Sequence, residues 1–93
     1  MPTVHRLGNL RFVVFFDDHG PPHVHVFSAG GEAKVLLGAP GARPSLDWAR
    51  GFNRATLQKI VLETMTRRAQ LLWAWHSVHG EERNASNAES SDR

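Results

Sequence analysis

The alternation of apolar and polar residues predicts a series of short β-strands in the first half of the chain. Residues Leu10–Phe16 alternate and are rich in β-branched and aromatic side chains, which favour strands. A second alternating segment, His23–Ser28, follows the Asp17–Pro22 connection, whose glycine and prolines exclude regular structure. A third, Glu32–Leu37, follows the turn sequence Ala29-Gly30-Gly31. Consecutive short strands of this kind predict an antiparallel meander.

The same alternation assigns the faces of the second strand, because successive side chains of a strand point to opposite sides. Val24 and Val26 lie on one face, which we expect to contact the core. His23 and His25 project together from the other face. Asp17–Pro22 is predicted to be a tight surface connection that holds the two histidines there.

The second half of the chain is predicted to be mainly helical. The glycine- and proline-containing segment Gly38–Phe52 is interpreted as a loop, with a short edge strand near Leu46–Trp48. Asn53 is a typical N-cap residue, since its side-chain oxygen can accept an otherwise unpaired backbone N–H. Beyond it, apolar residues recur at three- and four-residue steps and predict a helical stripe packed on the sheet. This stripe comprises Leu57, Ile60, Val61, Met65, Ala69 and Leu72.

The helical pattern is too long for one straight helix. From Arg54 to His79 a single helix would extend about 39 Å, which is more than a domain of this size is wide. A kink or break is therefore expected near Thr66-Arg67-Arg68. Glu63 precedes Arg67 by four residues, which predicts an ion pair on the outer face of the helix.

These elements predict an α+β fold, with a three- or four-stranded antiparallel sheet followed by two helices, or one kinked helix, packed on one face. The 93 residues are enough for a single domain, which we assign to residues 1–79. Residues 80–93 have only alanines as apolar side chains, so they cannot bury enough surface to offset the entropy lost on ordering. We expect them to form a disordered polar tail.

Composition excludes several classes of protein and partner. The chain has no cysteine, so it has neither disulfides nor cysteine-ligated metal sites. No apolar run approaches the length of roughly 18 residues that a membrane span needs, and no signal-type segment follows the first residues. We therefore expect a cytoplasmic protein without a membrane partner.

Basic residues are concentrated in the second half of the chain. Residues 43–68 contain six arginine or lysine residues and two acidic residues, although the whole chain has a formal charge of only +2. This local excess favours an anionic partner, with nucleic acid the first candidate, although solvated helix surfaces are often basic as well. The candidates for phosphate contacts are Arg50, Arg54, Lys59, Arg67 and Arg68.

Histidines and aspartates cluster around the connection between the first two predicted strands. His23 and His25 are two residues apart on one strand, so their side chains project from the same face about 6.6 Å apart. Asp17, Asp18 and His19 lie on the other side of the connection. Three imidazoles and two carboxylates within nine residues are unusual for a core and indicate a functional site.

Two kinds of chemistry fit this cluster, and the spacing does not separate them. An imidazole with an ordinary pKa of about 6.5 exchanges protons at neutral pH. As a metal-independent endoribonuclease without a cofactor, the protein would use His23 and His25 as acid and base, and Asp18 to orient one ring. In the alternative, His19, His23 and His25 would bind zinc or another divalent ion together with Asp17 or Asp18.

A second cluster of aromatic and histidine side chains comprises Trp73, Trp75, His76 and His79. Tryptophans at this spacing usually close the edge of a core or form a dimer surface, and histidines near a helix C-terminus interact favourably with the helix dipole. We therefore interpret this cluster as structural, at the edge of the core or at a homodimer surface. In the alternative, an exposed aromatic patch here would indicate a partner.

The segment Phe16–His25, with the sequence Phe-Asp-Asp-His-Gly-Pro-Pro-His-Val-His, resembles the central motif of a bacterial family, domain-of-unknown-function family 4160. The resemblance begins at Met1–Val4 and extends through the helices to about residue 79. Members are often found beside another small gene, as in toxin–antitoxin pairs. The resemblance therefore implies a component of a toxin–antitoxin-like module, with RNA and a small partner protein as its partners. The alternative is a non-enzymatic module that binds a metal or acts as an antitoxin-like partner.

Overall fold

The computed structural model describes the backbone of residues 3–39 and 41–87, and the side chains of residues 3–39 and 41–79. Five β-strands are followed by two α-helices. The strands are β1 (Thr3–Leu7), β2 (Leu10–Val13), β3 (His23–Phe27), β4 (Glu32–Leu36) and β5 (Ser45–Arg50). The helices are α1 (Arg54–Thr66) and α2 (Arg68–Asn87).

The strands form one antiparallel sheet of five strands in which sequence neighbours pair, in the order β1-β2-β3-β4-β5. This confirms the predicted α+β class and meander, with one strand more than the highest number expected. The additional strand, β1, is connected to β2 by Gly8 and Asn9. Gly8 has a φ of 58°, which a type II′ hairpin requires at its first position. The edge strand expected near Leu46–Trp48 is present as β5.

One face of the sheet carries the hydrophobic core. Phe12 and Val26 are paired across β2 and β3, and Val24 and Val35 are paired across β3 and β4. All four side chains are fully buried, and the helices pack against them. His25 lies between the two valines of β3 and points to the opposite face, as the alternation predicted.

The first predicted strand is shorter than expected. β2 ends at Val13, and although Val14 is buried, Phe16 is 65% exposed. The assignment of a strand up to Phe16 was therefore wrong. Phe16 is exposed although it continues the apolar pattern, because the chain leaves the sheet before this residue to form the connection that leads to β3.

The start of α1 and the break between the two helices lie where the sequence indicated. The Asn53 side chain accepts a hydrogen bond from the Thr56 N–H at 2.8 Å and caps α1. α1 ends at Thr66, and Arg67, with φ −101° and ψ 16°, separates it from α2. The predicted break is therefore confirmed.

The predicted apolar stripe is only partly buried. Ile60 is fully buried, but Met65 is exposed, and Thr64 and Leu71 are buried instead. Thr64 can be buried because its hydroxyl donates to the Ile60 carbonyl at 2.8 Å. Hydrophobicity alone favours Met65 as the buried residue over its polar neighbour Thr64. Thr64, however, follows Ile60 by four residues and therefore shares its helix face. The break at Arg67 then changed the helical phase of α2.

α1 is joined to β1 by a contact between a histidine and a carboxylate. Nε2 of His5 lies 2.6 Å from Oε2 of Glu63, and Nε of Arg67 lies 3.3 Å from the same oxygen. The predicted pair of Glu63 and Arg67 is therefore present, but Glu63 lies against β1 and not on a free outer face. The hydrogen bond from His5, assisted by Arg67, lowers the pKa of the Glu63 carboxyl below its ordinary value.

α2 lies along the end of the sheet where β2 ends, β3 begins and β4 ends. At its start, the Arg68 guanidinium donates to the carbonyl groups of residues 37, 38 and 39, just beyond β4. Farther along, His79 bonds to the carbonyl of Phe15, just beyond β2. Between these contacts Trp75 is buried, with its ring centroid 4.9 Å from that of His23. α2 therefore closes the end of the core next to the predicted site.

The last part of α2 is described only as backbone. The helix continues to Asn87, whereas side chains from residue 80 onward and the whole of residues 88–93 lie outside the described part. The domain assignment to residues 1–79 and the disordered tail at 80–93 therefore stay predictions. Within the described part, no helix combines the length and the hydrophobicity that crossing a membrane requires.

Candidate functional site

A restrained connection places Asp18 over the start of β3. Gly20 has a φ of 86°, a conformation that favours glycine, and Pro21 and Pro22 are each restricted to a φ of about −65°. The Pro22 carbonyl accepts a hydrogen bond from the Leu37 N–H at 2.9 Å, which ties the connection to the end of β4. Asp18 is therefore held next to β3 by a segment with few accessible conformations.

His23 is buried at the first position of β3, with only 3% of the residue exposed. Its Nδ1 lies 2.9 Å from the Pro21 carbonyl oxygen, and its Nε2 lies 2.9 Å from Oδ2 of Asp18. Because a carbonyl oxygen only accepts hydrogen bonds, Nδ1 carries a proton and donates to Pro21. Nε2 is then the ring atom that faces the carboxylate.

His25 directs its own Nε2 toward the same carboxylate oxygen. This nitrogen lies 3.5 Å from Oδ2 of Asp18, and Nδ1 lies 3.5 Å from Oε2 of Glu32. The buried Nδ1 has no hydrogen-bond partner within bonding geometry among the described residues. Burial lowers the pKa of His25 below its ordinary value of 6.5, although the Asp18 carboxylate opposes this effect. The neutral imidazole is therefore favoured at pH 7.

Asp18, His23 and His25 together form what we call the His–Asp cluster. Each residue contributes one carboxylate oxygen or imidazole nitrogen, and these three atoms lie within 4.8 Å of one another. The Asp18 side chain is 25% exposed, whereas the two rings are largely covered. The cluster therefore opens to solvent on the aspartate side, and its three ligand atoms are close enough together to suit a proton or a metal cation.

The His–Asp cluster contains part of the predicted site and excludes part of it. His19 and Asp17 are exposed and lie outside this group of described residues. Glu32, which the sequence did not single out, lies 3.5 Å from His25. Only the strand pairing reveals it, since Glu32 is opposite Phe27, two residues along β3 from His25 on the same face.

The predicted phosphate contacts have different environments. Arg68 uses its guanidinium to bind three backbone carbonyls, which gives it a structural role at the start of α2. Arg67 is exposed and pairs with Glu63. The others are Arg50 on β5, which is exposed and pairs with Glu32 at 2.8 Å, and Arg54 and Lys59, which are exposed on α1.

The sheet face opposite the core carries two aromatic rings with arginines over them. The Trp48 ring lies 6.2 Å from that of His25 between centroids, and the Arg50 guanidinium is 5.9 Å from the Trp48 centroid. On the other side, the Arg11 guanidinium is 5.8 Å from the Phe27 centroid. Trp48 and Arg11 were not predicted as site residues, because only the strand pairing places β2 next to β3, and β5 one strand beyond it across β4.

The second cluster of tryptophans and histidines divides between core and surface. Trp75 is buried, and His79 places Nδ1 2.9 Å from the Trp75 carbonyl oxygen and Nε2 2.9 Å from that of Phe15. These contacts agree with the structural interpretation of Trp75 and His79. In contrast, Trp73 is 72% exposed and His76 is exposed, so neither belongs to the core.

The model of the family described as "Domain of unknown function (DUF4160)" matches residues 9–76. The chain belongs to this family. The matched DUF4160 region contains β2 to β5, α1 and the first part of α2, and it includes the whole His–Asp cluster. No curated protein and no solved structure matches the chain. The suspected family is thereby confirmed, whereas the toxin–antitoxin role stays a prediction.

Proposed function

We propose that this DUF4160 protein binds a divalent transition-metal ion, with Zn²⁺ the first choice, through Asp18, His23 and His25. The observation that carries the proposal is that Nε2 of both histidines faces the same carboxylate oxygen, at 2.9 and 3.5 Å. Imidazole nitrogen and carboxylate oxygen are ordinary zinc ligands. Two ligands about 2.0–2.1 Å from a tetrahedral zinc ion are roughly 3.3 Å apart, which is close to the two separations from Asp18. The two imidazole nitrogens lie within 4.8 Å of each other.

The orientation of the two rings supports a cation in this position. Since Nδ1 of His23 donates to Pro21, Nε2 is the ring atom left for a cation, and it faces the Asp18 carboxylate. A positive ion between the two groups would be attracted to both. His25, whose pKa is lowered by burial, keeps a ring nitrogen free for coordination down to a lower pH than an ordinary histidine.

The environment of the rings is also typical of metal-binding histidines. Nδ1 of His23 is held by the Pro21 carbonyl, and such a hydrogen bond fixes the tautomer and orientation of a ligand. Nδ1 of His25 lies 3.5 Å from the Glu32 carboxylate, outside hydrogen-bond geometry. A set of three protein ligands resembles catalytic zinc sites more than structural ones, which use four. A metal held in this way supplies Lewis-acid activation of water or of a substrate oxygen.

Titration of metal-free protein with Zn²⁺, followed by calorimetry and thermal unfolding, tests the proposal. We expect one ion per chain and a rise in Tm of roughly 10 °C or more when free zinc is about 100 times the Kd. His25→Ala should lower the affinity on the order of 100-fold. His19→Ala is the matched control, because it removes an exposed histidine from the same segment, and it should leave the affinity nearly unchanged.

Two results would contradict zinc binding at the His–Asp cluster. One is the lack of saturable binding to the native protein. The other is an equal loss of affinity in both histidine variants, which would place the bound ion elsewhere.

As a second candidate, we propose that the sheet face opposite the core contacts RNA. The observation in its favour is the pair of arginine–aromatic contacts, Arg50 with Trp48 and Arg11 with Phe27, on either side of His25. Unstacked bases bind to aromatic rings and to arginine planes, and arginine also pairs with phosphate. This arrangement retains Arg50 from the predicted phosphate contacts and places it next to the His–Asp cluster.

The burial of the cluster limits how it would cleave RNA without a metal. The His23 side chain is 3% exposed and that of His25 is 13% exposed. Of the two rings, His25 is therefore the one better placed to exchange a proton with a bound 2′-hydroxyl. His23, which the Asp17–Pro22 connection covers, would act on RNA only indirectly, by orienting the Asp18 side chain.

Fluorescence anisotropy with a labelled single-stranded RNA tests this second candidate. Affinity should fall steeply between about 50 and 200 mM salt, because neutralised phosphates release counterions. Trp48→Ala should weaken binding by about 1–3 kcal/mol, the usual contribution of one stacked base. Trp73→Ala, which removes an exposed tryptophan from α2, is the control. RNA that fails to bind at low salt would exclude this candidate, and cleavage that stops in EDTA would link the activity to the metal.

A further inference from the structure

α1 carries exposed apolar side chains on the helix layer, away from the His–Asp cluster. Leu62 is 61% exposed and Met65 is 38% exposed. Beside them is an open groove of about 580 Å³. It is lined by Arg54, Leu57, Gln58, Val61 and Leu62. We call this surface the α1 groove.

We infer that the α1 groove binds an acidic amphipathic helix of a partner protein. The apolar residues recur at the spacing of one helix face, since Val61 follows Leu57 by four residues and Met65 follows Leu62 by three. From Leu57 to Met65 the stripe is about 12 Å long, which accommodates two or three side chains of a docked helix. Such anchors in a helix-in-groove complex repeat at the same three- and four-residue spacing.

The charges around the α1 groove determine the sign of the charge expected on the partner. Arg54 and Lys59 are exposed on α1 and form no ion pair with a carboxylate in the part of the chain that the structure describes. The one acidic residue of α1, Glu63, is already occupied by His5 and Arg67. The surface therefore presents positive charge next to its apolar stripe, and a partner with acidic residues flanking its apolar face matches it.

The same charges disfavour a second copy of this chain as the occupant. A symmetric dimer packed through α1 would bring together two copies of the same surface, each with Arg54 and Lys59 exposed on it. No carboxylate of α1 is available to compensate them, because Glu63 is engaged by its own β1 and Arg67. Like charges that face each other across an interface reduce its stability.

Photocrosslinking with p-benzoylphenylalanine in place of Leu62 tests the inference in the cells that naturally express the full chain. Mass spectrometry of the crosslinked peptide is expected to show a segment of another protein, with net negative charge and apolar residues at three- and four-residue steps. Arg54→Glu combined with Lys59→Glu should lower the yield about tenfold or more, since like charges then face each other. Arg43→Glu is the control, because it reverses one charge on the exposed loop before β5, away from the α1 groove, and it should leave the yield unchanged.

Several results would overturn the inference. These are crosslinks to a second copy of the chain, to its own residues 80–93 or to nucleic acid, and the lack of any specific crosslink. A partner segment that is basic, or a yield that does not respond to the double charge reversal, would overturn it as well. The metal titration is independent of this surface, so failure here would leave the proposed zinc site untouched.

Discussion

The rings of the His–Asp cluster and the ring of His79 in the second cluster are all largely covered, yet their nitrogens meet different kinds of group. His23 and His25 direct Nε2 to a carboxylate, that of Asp18, which is open to solvent on one side. His79 instead directs both ring nitrogens to backbone carbonyls, one on its own helix and one at Phe15. Carbonyls fix a ring in place, whereas a carboxylate shared by two imidazoles provides ligands for a cation. The partner of a buried histidine is therefore more informative about function than its burial.

The largest expected effect comes from removing the shared carboxylate. Asp18→Asn keeps the size of the side chain and its ability to hydrogen-bond to Nε2 of His23 but removes the negative charge, so zinc affinity should fall on the order of 100-fold. The free energy of unfolding of the metal-free protein should change by less than about 1 kcal/mol. Calorimetry and denaturant unfolding of the same samples measure both quantities. A variant that loses stability but keeps its zinc affinity would make Asp18 a structural residue like those around His79.

The second largest effect is expected for Arg68, which contacts backbone carbonyls, in comparison with its neighbour Arg67, which pairs with a carboxylate. Arg68→Ala removes a guanidinium that binds three carbonyls, and we expect a loss of about 2 kcal/mol in the free energy of unfolding. Arg67→Ala removes an exposed ion pair with Glu63 and should cost less than about 1 kcal/mol. Chemical denaturation measures both. Equal effects would show that the carbonyl contacts of Arg68 contribute little.

A somewhat smaller effect is expected at His79. His79→Ala leaves the Phe15 carbonyl without its partner, so the free energy of unfolding should fall by about 1.5 kcal/mol. Zinc affinity should not change, because the His–Asp cluster keeps its three ligands. His76→Ala, which alters an exposed residue of the same helix, is the control. A loss of zinc affinity in the His79 variant alone would show that the two clusters are coupled through Trp75.

The smallest expected effect concerns the contact of His5 with Glu63, a histidine–carboxylate pair without a second imidazole. Because the pKa of Glu63 is lowered in the folded protein, its charged form stabilises the fold above the ordinary pKa of 4.5. This contribution is lost as the pH falls through the lowered pKa. The free energies of unfolding of the native protein and of Glu63→Gln, measured with denaturant, should differ by about 1 kcal/mol at pH 7 and converge in acid. If the difference in the free energy of unfolding stayed constant from pH 7 into acid, charged Glu63 would not be the group that stabilises the fold.

Much of the fold follows from local patterns. The alternation in β3 and β4 places Val24, Val26 and Val35 in the core, and Asn53 and the break at Arg67 set the limits of α1. The short β1 was missed because it has few apolar residues, although the Gly8-Asn9 sequence is a hairpin signal. The end of β2 and the inclusion of Thr64 in the core were also missed. Both depend on contacts with residues distant in sequence.

The sequence by itself determined that His23 and His25 share a strand face, because alternation in a strand is a property of the backbone. It also determined that a stiff glycine–proline segment brings an aspartate near them. Only the tertiary structure decided that Asp18 joins the cluster while His19 stays outside, and that Glu32 and Trp48 lie beside it. It also gave Arg68 a structural role as a donor to backbone carbonyls, whereas its neighbour Arg67 is exposed. The physical reason is that distances between side chains on different strands depend on strand register and on helix placement, which the packing of the whole core sets.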